Sequence, residues 1–254
     1  MKKLYKITLL IFLISGAAHA VQQPVSVPPD AEDNQHKRYV VVIDAGHGGG
    51  EWGVNVNGTY EKDLNLSLAK LVADKLQKAG NNISVLLTRS ADTYLKQEER
   101  AGLANNKRAD LYVSIHCDYA QPRVDGFKIY YFYGENEGPK PAPGELTRWD
   151  DVQYKYEGPS EKLAEAMDQY LHAGLIPEDS SDTASGENDI VPLGDRGTMG
   201  TYVEPLIGLD MPAVLIEAGN MNNKNNLIAL KDIKMQNIIA YHIKEGIVNY
   251  LKGK

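Results

Sequence analysis

Apolar positions along this chain recur in two periods that alternate with each other. Short runs at residues 38–44, 83–87, 110–116 and 213–217 are almost continuously apolar and rich in β-branched residues, as strands buried on both faces are. Between them the spacing changes to that of helices. Leu64, Leu68, Leu71, Val72 and Leu76 line one side of a helix that Glu61 opens and Gly80 ends. A polar helix is predicted over residues 96–107, and another over 160–172 with Ser160 as N-cap and Leu163, Ala164, Met167 and Leu171 inward. Residues 225–251 read as helical, with a break near Lys231-Asp232. Phe127, Ile129, Tyr131 and Tyr133 alternate with other residues and predict one more strand with a better-buried face. Strands alternating with helices predict an α/β fold: a single domain with a mostly parallel twisted sheet and helices on both faces. Two stretches, residues 134–159 and 174–201, are rich in Gly, Pro and charge and read as long inserted loops.

The first twenty residues follow another pattern. Lys2, Lys3 and Lys6 precede an apolar stretch at 7–14, and Ala18-His19-Ala20 supplies a small-x-small cleavage pattern, so residues 1–20 read as a signal peptide cleaved after Ala20. The apolar stretch is too short for a spanning helix, so no membrane span is expected after cleavage. Residues 21–37, rich in Gln, Pro and Asp, read as a flexible leader, which leaves 38–252 as the folded domain. The whole chain carries 27 basic and 34 acidic residues; without the three lysines at its start the balance is 24 to 34, a net charge of −10. That excludes nucleic acid or an anionic lipid surface held by bulk electrostatics. Cys117 is the only cysteine, so no intrachain disulfide forms even in an oxidising compartment. Strand alternation points it away from its neighbour His116, and it reads as a small buried residue rather than a nucleophile.

Three of the apolar runs end in residues that can hold a metal or move a proton: His47, His116 and Glu217. In open α/β sheets ligands bind beyond the carboxyl ends of the strands. Two imidazoles and a carboxylate are the ligand set of many zinc hydrolases, with a fourth position left for water. Glu61, at the start of the helix after the glycine-rich loop, is placed as the third ligand, and Glu217 as the general base opposite. Each residue alone has an ordinary explanation, since a strand-end histidine is often structural and a first-turn glutamate favours the helix dipole. Of five histidines beyond residue 20, His36 falls in the leader and His172 and His242 on helices. The other two both end strands. The glycines at 48, 49, 50 and 53 formally fit a dinucleotide fingerprint, but that motif must open a helix directly and here residues 54–58 intervene.

Four ordered motifs now carry a resemblance: Val42-Ile43-Asp44-Ala45-Gly46-His47-Gly48-Gly49, Glu61-Lys62-Asp63-Leu64-Asn65-Leu66, Ser114-Ile115-His116, and Pro212-Ala213-Val214-Leu215-Ile216-Glu217-Ala218-Gly219. In these the chain resembles the zinc-dependent N-acetylmuramoyl-L-alanine amidases of the amidase type 3 family. The resemblance implies a peptidoglycan substrate, cut at the amide between muramic acid and the first L-alanine of the stem peptide. It implies Zn2+ as cofactor, His47, Glu61 and His116 as its ligands, and Glu217 as catalytic acid/base. Cys117-Asp118 stands where the family usually has Ala-Asn, and Gly219-Asn220-Met221-Asn222-Asn223 where it favours Gly-Phe with a Ser-Asn pair. Two other functions fit less well: a zinc peptidase acting on the stem peptide, and a non-catalytic wall-binding module. In some Gram-negative members an inserted segment covers the zinc until an activator protein moves it. Here residues 134–159 carry Glu135, Glu137, Glu145, Asp150, Asp151 and Glu157, any of which could take the open metal position. Arg89 and Arg196 are placed either to meet substrate carboxylates or to form surface ion pairs. The expected setting is the periplasm, and the expected state a monomer.

Overall fold

Val40, Val41, Val42 and Ile43 form the middle of β1 (Tyr39–Ala45), and the last five residues of the strand are buried. In the computed structural model residues 38–80, 82–134, 146–176 and 193–254 are described. The segments expected to be signal peptide and leader, and the insertion residues Glu135, Glu137 and Glu145, lie outside the described residues. The short hairpin β2 (Asn55–Val56) and β3 (Thr59–Tyr60) follows β1 and leads into α1 (Glu61–Lys78). Next come β4 (Ile83–Leu87), α2 (Gln97–Asn106), β5 (Leu111–Asp118) and β6 (Phe127–Phe132). A 3-10 helix (Trp149–Tyr156) then runs directly into α3 (Glu157–Leu175), and β7 (Asp195–Thr201) and β8 (Ala213–Asn220) complete the strands. The chain closes with α4 (Lys224–Lys231) and α5 (Ile233–Lys252).

Six strands form one sheet in the order β4-β1-β5-β8-β6-β7. All its pairings are parallel except β6 with β8. The mostly parallel α/β sheet predicted by the alternating periods is therefore present. Alternation sorts the central strands between two layers. Val41, Ile43, Val113, Ile115, Val214 and Ile216 meet the apolar stripes of α1, α3 and α5 on one face. Val42, Tyr112, Ala213 and Leu215 meet Ala101 and Ala104 of α2, with Leu206 and Leu209, on the other. The last two helices start on side-chain caps. Asp232 interrupts the C-terminal helical stretch because its Oδ1 accepts the Lys234 N–H (2.8 Å), capping α5, as Asn223 caps α4. No helix among the described residues is long and apolar enough to cross a membrane.

The structure corrects several local expectations. Ser160 is not an N-cap: α3 begins three residues earlier, and the buried Ser160 hydroxyl accepts the Ala213 N–H at 3.0 Å. Residues 174–201 are not all loop, because β7 forms at the sheet edge. Its sequence, DRGTMGT, has two glycines and little apolar content, so only pairing with β6 makes it a strand. In β6 the alternation breaks before its end, and Phe132 is buried while Tyr133 is half exposed.

Candidate metal centre

His47, Glu61, His116 and Glu217 are delivered by four different elements to one edge of the sheet. His116 lies near the end of β5 and Glu217 is its register partner on β8, so both side chains project from the α2 face. His47 follows β1 after Gly46, and Glu61 opens α1. The Glu61 carboxylate is buried and sits between the imidazoles, its Oε2 3.1 Å from His47 Nε2 and its Oε1 3.1 Å from His116 Nδ1. Their candidate donor atoms all lie within 4.8 Å of one another. The Val54 and Cys117 N–H groups (2.9 and 3.2 Å) and Asn65 Nδ2 (3.2 Å) fix the same carboxylate. Burial opposes its ionisation, but the bonds from His116 and His47 outweigh burial and hold it below the usual carboxylate range. His116 is pulled the other way: burial disfavours its charge, yet the Glu61 bond and the Glu217 charge raise its pKa.

Glu217 differs from Glu61 in its supply of partners. Its Oε2 is buried without a hydrogen bond. Burial, with the Glu61 and Asp118 charges, pushes its pKa up to about 7 against the opposing pull of His116 and Arg196. A carboxyl poised near neutrality can both take and return a proton.

Two glycines make room for this cluster. A Cβ on Gly46 would lie 2.3 Å from the His116 ring, and one on Gly53 2.3 Å from Glu61 Oε2. His47 has a left-handed backbone (φ 60°), with its Nδ1 3.3 Å from Glu51 Oε1. Next to the cluster a cavity of about 250 Å³ opens onto His47 and His116, walled by Tyr94, Lys96 and Glu204. An anchoring network that the motif spacing did not reveal lies below. Asp44, 1% exposed, accepts from Arg100 Nη1 (2.6 Å), Thr88 Oγ1 (2.6 Å) and Ser114 Oγ (2.7 Å). A lone carboxylate inside an apolar strand was the one sequence signal for it; Arg100, on a polar helix, gave none.

The remaining expectations divide. Arg89 does not face substrate: it is buried, and it donates to the carbonyls of Ala45, Gly46, Lys62 and Ala91. Arg196 is tied to Asp118 (Nη1 to Oδ2, 2.6 Å) and to the Gly126 carbonyl. Cys117 packs in the core on the opposite face from His116, and burial pushes its thiol pKa well up. The described acids of the 134–159 segment do not reach the metal centre either. Asp150 pairs with Arg148 and Glu157 accepts the Gly134 N–H, while Asp151 lies 3.7 Å from Arg148. The sequence departure at Asn220 closes the loop after β5, its Nδ2 donating to Gln121 and Val124 carbonyls.

An open α/β sheet that gathers two histidines and two carboxylates at its carboxyl edge has the make-up of a metal-dependent hydrolase. The N-acetylmuramoyl-L-alanine amidase family model, Amidase_3, matches residues 41–249, and the chain belongs to that family, whose members hydrolyse peptidoglycan. It is 32% identical over 211 residues to the uncharacterized protein YqiI of Bacillus subtilis (strain 168), covering 83% of this chain and 84% of that one. It is 28% identical over 235 residues to the N-acetylmuramoyl-L-alanine amidase AmiA of Escherichia coli (strain K12), covering 87% and 79% of the two. Among solved structures, an N-acetylmuramoyl-L-alanine amidase from Clostridium difficile 630 superposes with a TM-score of 0.67 at 30% identity, covering 85% of this chain and 98% of that one.

Proposed function

We propose that the chain cleaves the bond between N-acetylmuramic acid and L-alanine with a zinc ion held by His47, Glu61 and His116, and with Glu217 as the proton carrier. One observation carries the reading: two imidazoles and a carboxylate converge within 4.8 Å, beside a buried carboxyl that has an unpartnered oxygen. The donor set fits zinc, a borderline-soft ion that takes nitrogen and carboxylate ligands. When bound, zinc supplies Lewis acidity that polarises the scissile carbonyl and acidifies water. Glu217 takes the proton of the attacking water, and on collapse it returns that proton to the departing amide nitrogen. Its desolvated site keeps its basicity high enough for the first transfer and makes its acid form available for the second. The Val54 and Cys117 N–H groups and Asn65 Nδ2 hold the Glu61 carboxylate in place for the ion.

Residues 38–252 form the catalytic domain in this reading. The signal-peptide pattern at 1–20 supports export to the periplasm, where the wall polymer is accessible. The reading extends to an activator protein acting on the 134–159 segment, whose described acids Asp150, Asp151 and Glu157 are engaged away from the metal centre.

Zinc content and digestion of purified sacculi test the reading together, on the wild-type protein and on His116→Ala. The expected products are glycan free of peptide and peptides with a new L-alanine amino terminus. The variant should lose both zinc and turnover. Cleavage only between amino acids would replace the amidase with a peptidase, and a variant that retains zinc and activity would remove His116 from the site.

A further inference from the structure

Three consecutive carbonyls at the end of β1 are each held by a guanidinium. Arg89 donates from Nε to Ala45 O and from Nη2 to both Gly46 O and Lys62 O, all at 2.8 Å. Arg100 donates from Nη1 to Ala45 O at 2.9 Å and from Nη2 to His47 O at 2.8 Å. The two residues are 4% and 5% exposed, which is rare for cations unless they are paired. Asp44 supplies the buried counter-charge to Arg100, and its remaining acceptor sites are taken by Thr88 and Ser114.

The destination of these bonds is specific. His47 occupies the left-handed region, which residues with a Cβ seldom adopt, and its carbonyl is the one Arg100 holds from below. Lys62 is the neighbour of Glu61, so Arg89 ties the loop after β1 to the first turn of α1. One guanidinium therefore sets the main chain at the first candidate ligand, and the other sets the spacing between the first and second. Arg89 uses all three of its nitrogens on main-chain oxygens, and Arg100 uses all of its nitrogens on main-chain oxygens and Asp44.

We propose that Arg89 and Arg100 are positioning residues of the metal centre, which pre-set the His47 imidazole and the Glu61 carboxylate for the cation. The proposal rests on the zinc reading above. A merely structural role predicts lost stability alone, whereas positioning predicts a loss of metal affinity beyond what lost stability produces. Residues that orient metal ligands typically cost 10- to 100-fold in affinity when changed. Lysine keeps the charge but cannot reproduce the planar fork.

The test compares full-length wild type, Arg100→Lys, Arg89→Lys and Val42→Ala, each stripped of metal. Val42 lies in the same buried layer as α2 and touches none of the ligands' bonds, so its variant controls for stability. Zinc affinity is read by chelator competition, site geometry by the visible spectrum of the cobalt(II)-loaded protein, and stability by thermal melting. Each lysine variant should bind zinc at least about 10-fold more weakly, with an altered cobalt spectrum, and Val42→Ala should stay within about twofold of wild type. If Arg100→Lys does not fold, Arg89→Lys carries the same comparison. Lysine variants with wild-type affinity, or an equal loss in Val42→Ala, would overturn the proposal. Wild-type protein that takes up no zinc would instead bring down the metal reading on which it rests.

Discussion

Replacing Glu217 with Gln should sharply lower turnover and yet stabilise the metal-free protein. Burial raises this carboxyl from an ordinary 4.5 to about 7. The unfolded chain ionises it at the lower value, so between the two values folding must take up a proton. Stability attributable to this group therefore falls as pH rises from about 4.5 to about 7, and is flat above. At pH 8 the wild-type cost is about 3 kcal/mol. Glutamine never ionises and escapes that cost, but its amide meets the same unpartnered pocket as Oε2, a penalty of about 1 kcal/mol. A net gain of about 2 kcal/mol corresponds to roughly 4–8 °C in Tm for a domain of this size. The assay is thermal melting of both proteins in excess chelator from pH 4 to pH 8. The difference should be small or reversed at pH 4 and should grow to its full value by pH 8. Loss of the general base should lower kcat by about 100-fold or more. A Gln variant that is less stable than wild type at pH 8, or whose advantage does not change with pH, would refute the account of Glu217 as a desolvated, partnerless carboxyl.

Two further expectations come from packing around the site. Gly46→Ala places a methyl 2.3 Å from the His116 ring in a backbone conformation that alanine tolerates, so the protein should fold by circular dichroism while losing zinc and at least about 10-fold in activity. Full zinc content in that variant would show that the ring has room to move. Cys117→Ala, in the core on the far face of β5, should keep sacculus hydrolysis within about twofold and lose about 1 kcal/mol of stability in denaturant titration. A large fall in activity there would give the thiol a role that its burial denies.

The parts of the fold that could be read along the chain are those where local pattern and tertiary context agree. β1, β5 and β8 are continuous apolar runs because both faces of the sheet are covered, and α1, α3 and α5 carry single apolar stripes because only one side of each is. The break at Asp232 was legible because a side-chain cap is a local event. β7 was not, since its residues have no strand preference and are ordered by pairing with β6. The start of α3 was missed for a related reason. Ser160 looks like a cap in sequence, but its hydroxyl is used three residues into the helix to hold β8.

The same division holds at the site. Residue order alone settles which chemistry is available: His47, His116 and Glu217 end apolar runs, and alternation puts His116 and Glu217 on one side of the sheet. How that chemistry is held depends on packing between distant segments. Glycines at 46 and 53 matter because of what packs on them, and Arg89 looks like a surface cation until it is seen to be buried on main-chain carbonyls. The contrast between Glu61 and Glu217 is also tertiary. Both carboxyls are buried, but hydrogen bonds from the two histidines hold one below the usual range, while burial beside the Glu61 and Asp118 charges pushes the other toward neutrality. Side-chain identity and period are local and are written in the order of residues. Burial, hydrogen-bond supply and close approach depend on segments far apart in the chain and arise only when the sheet brings them together.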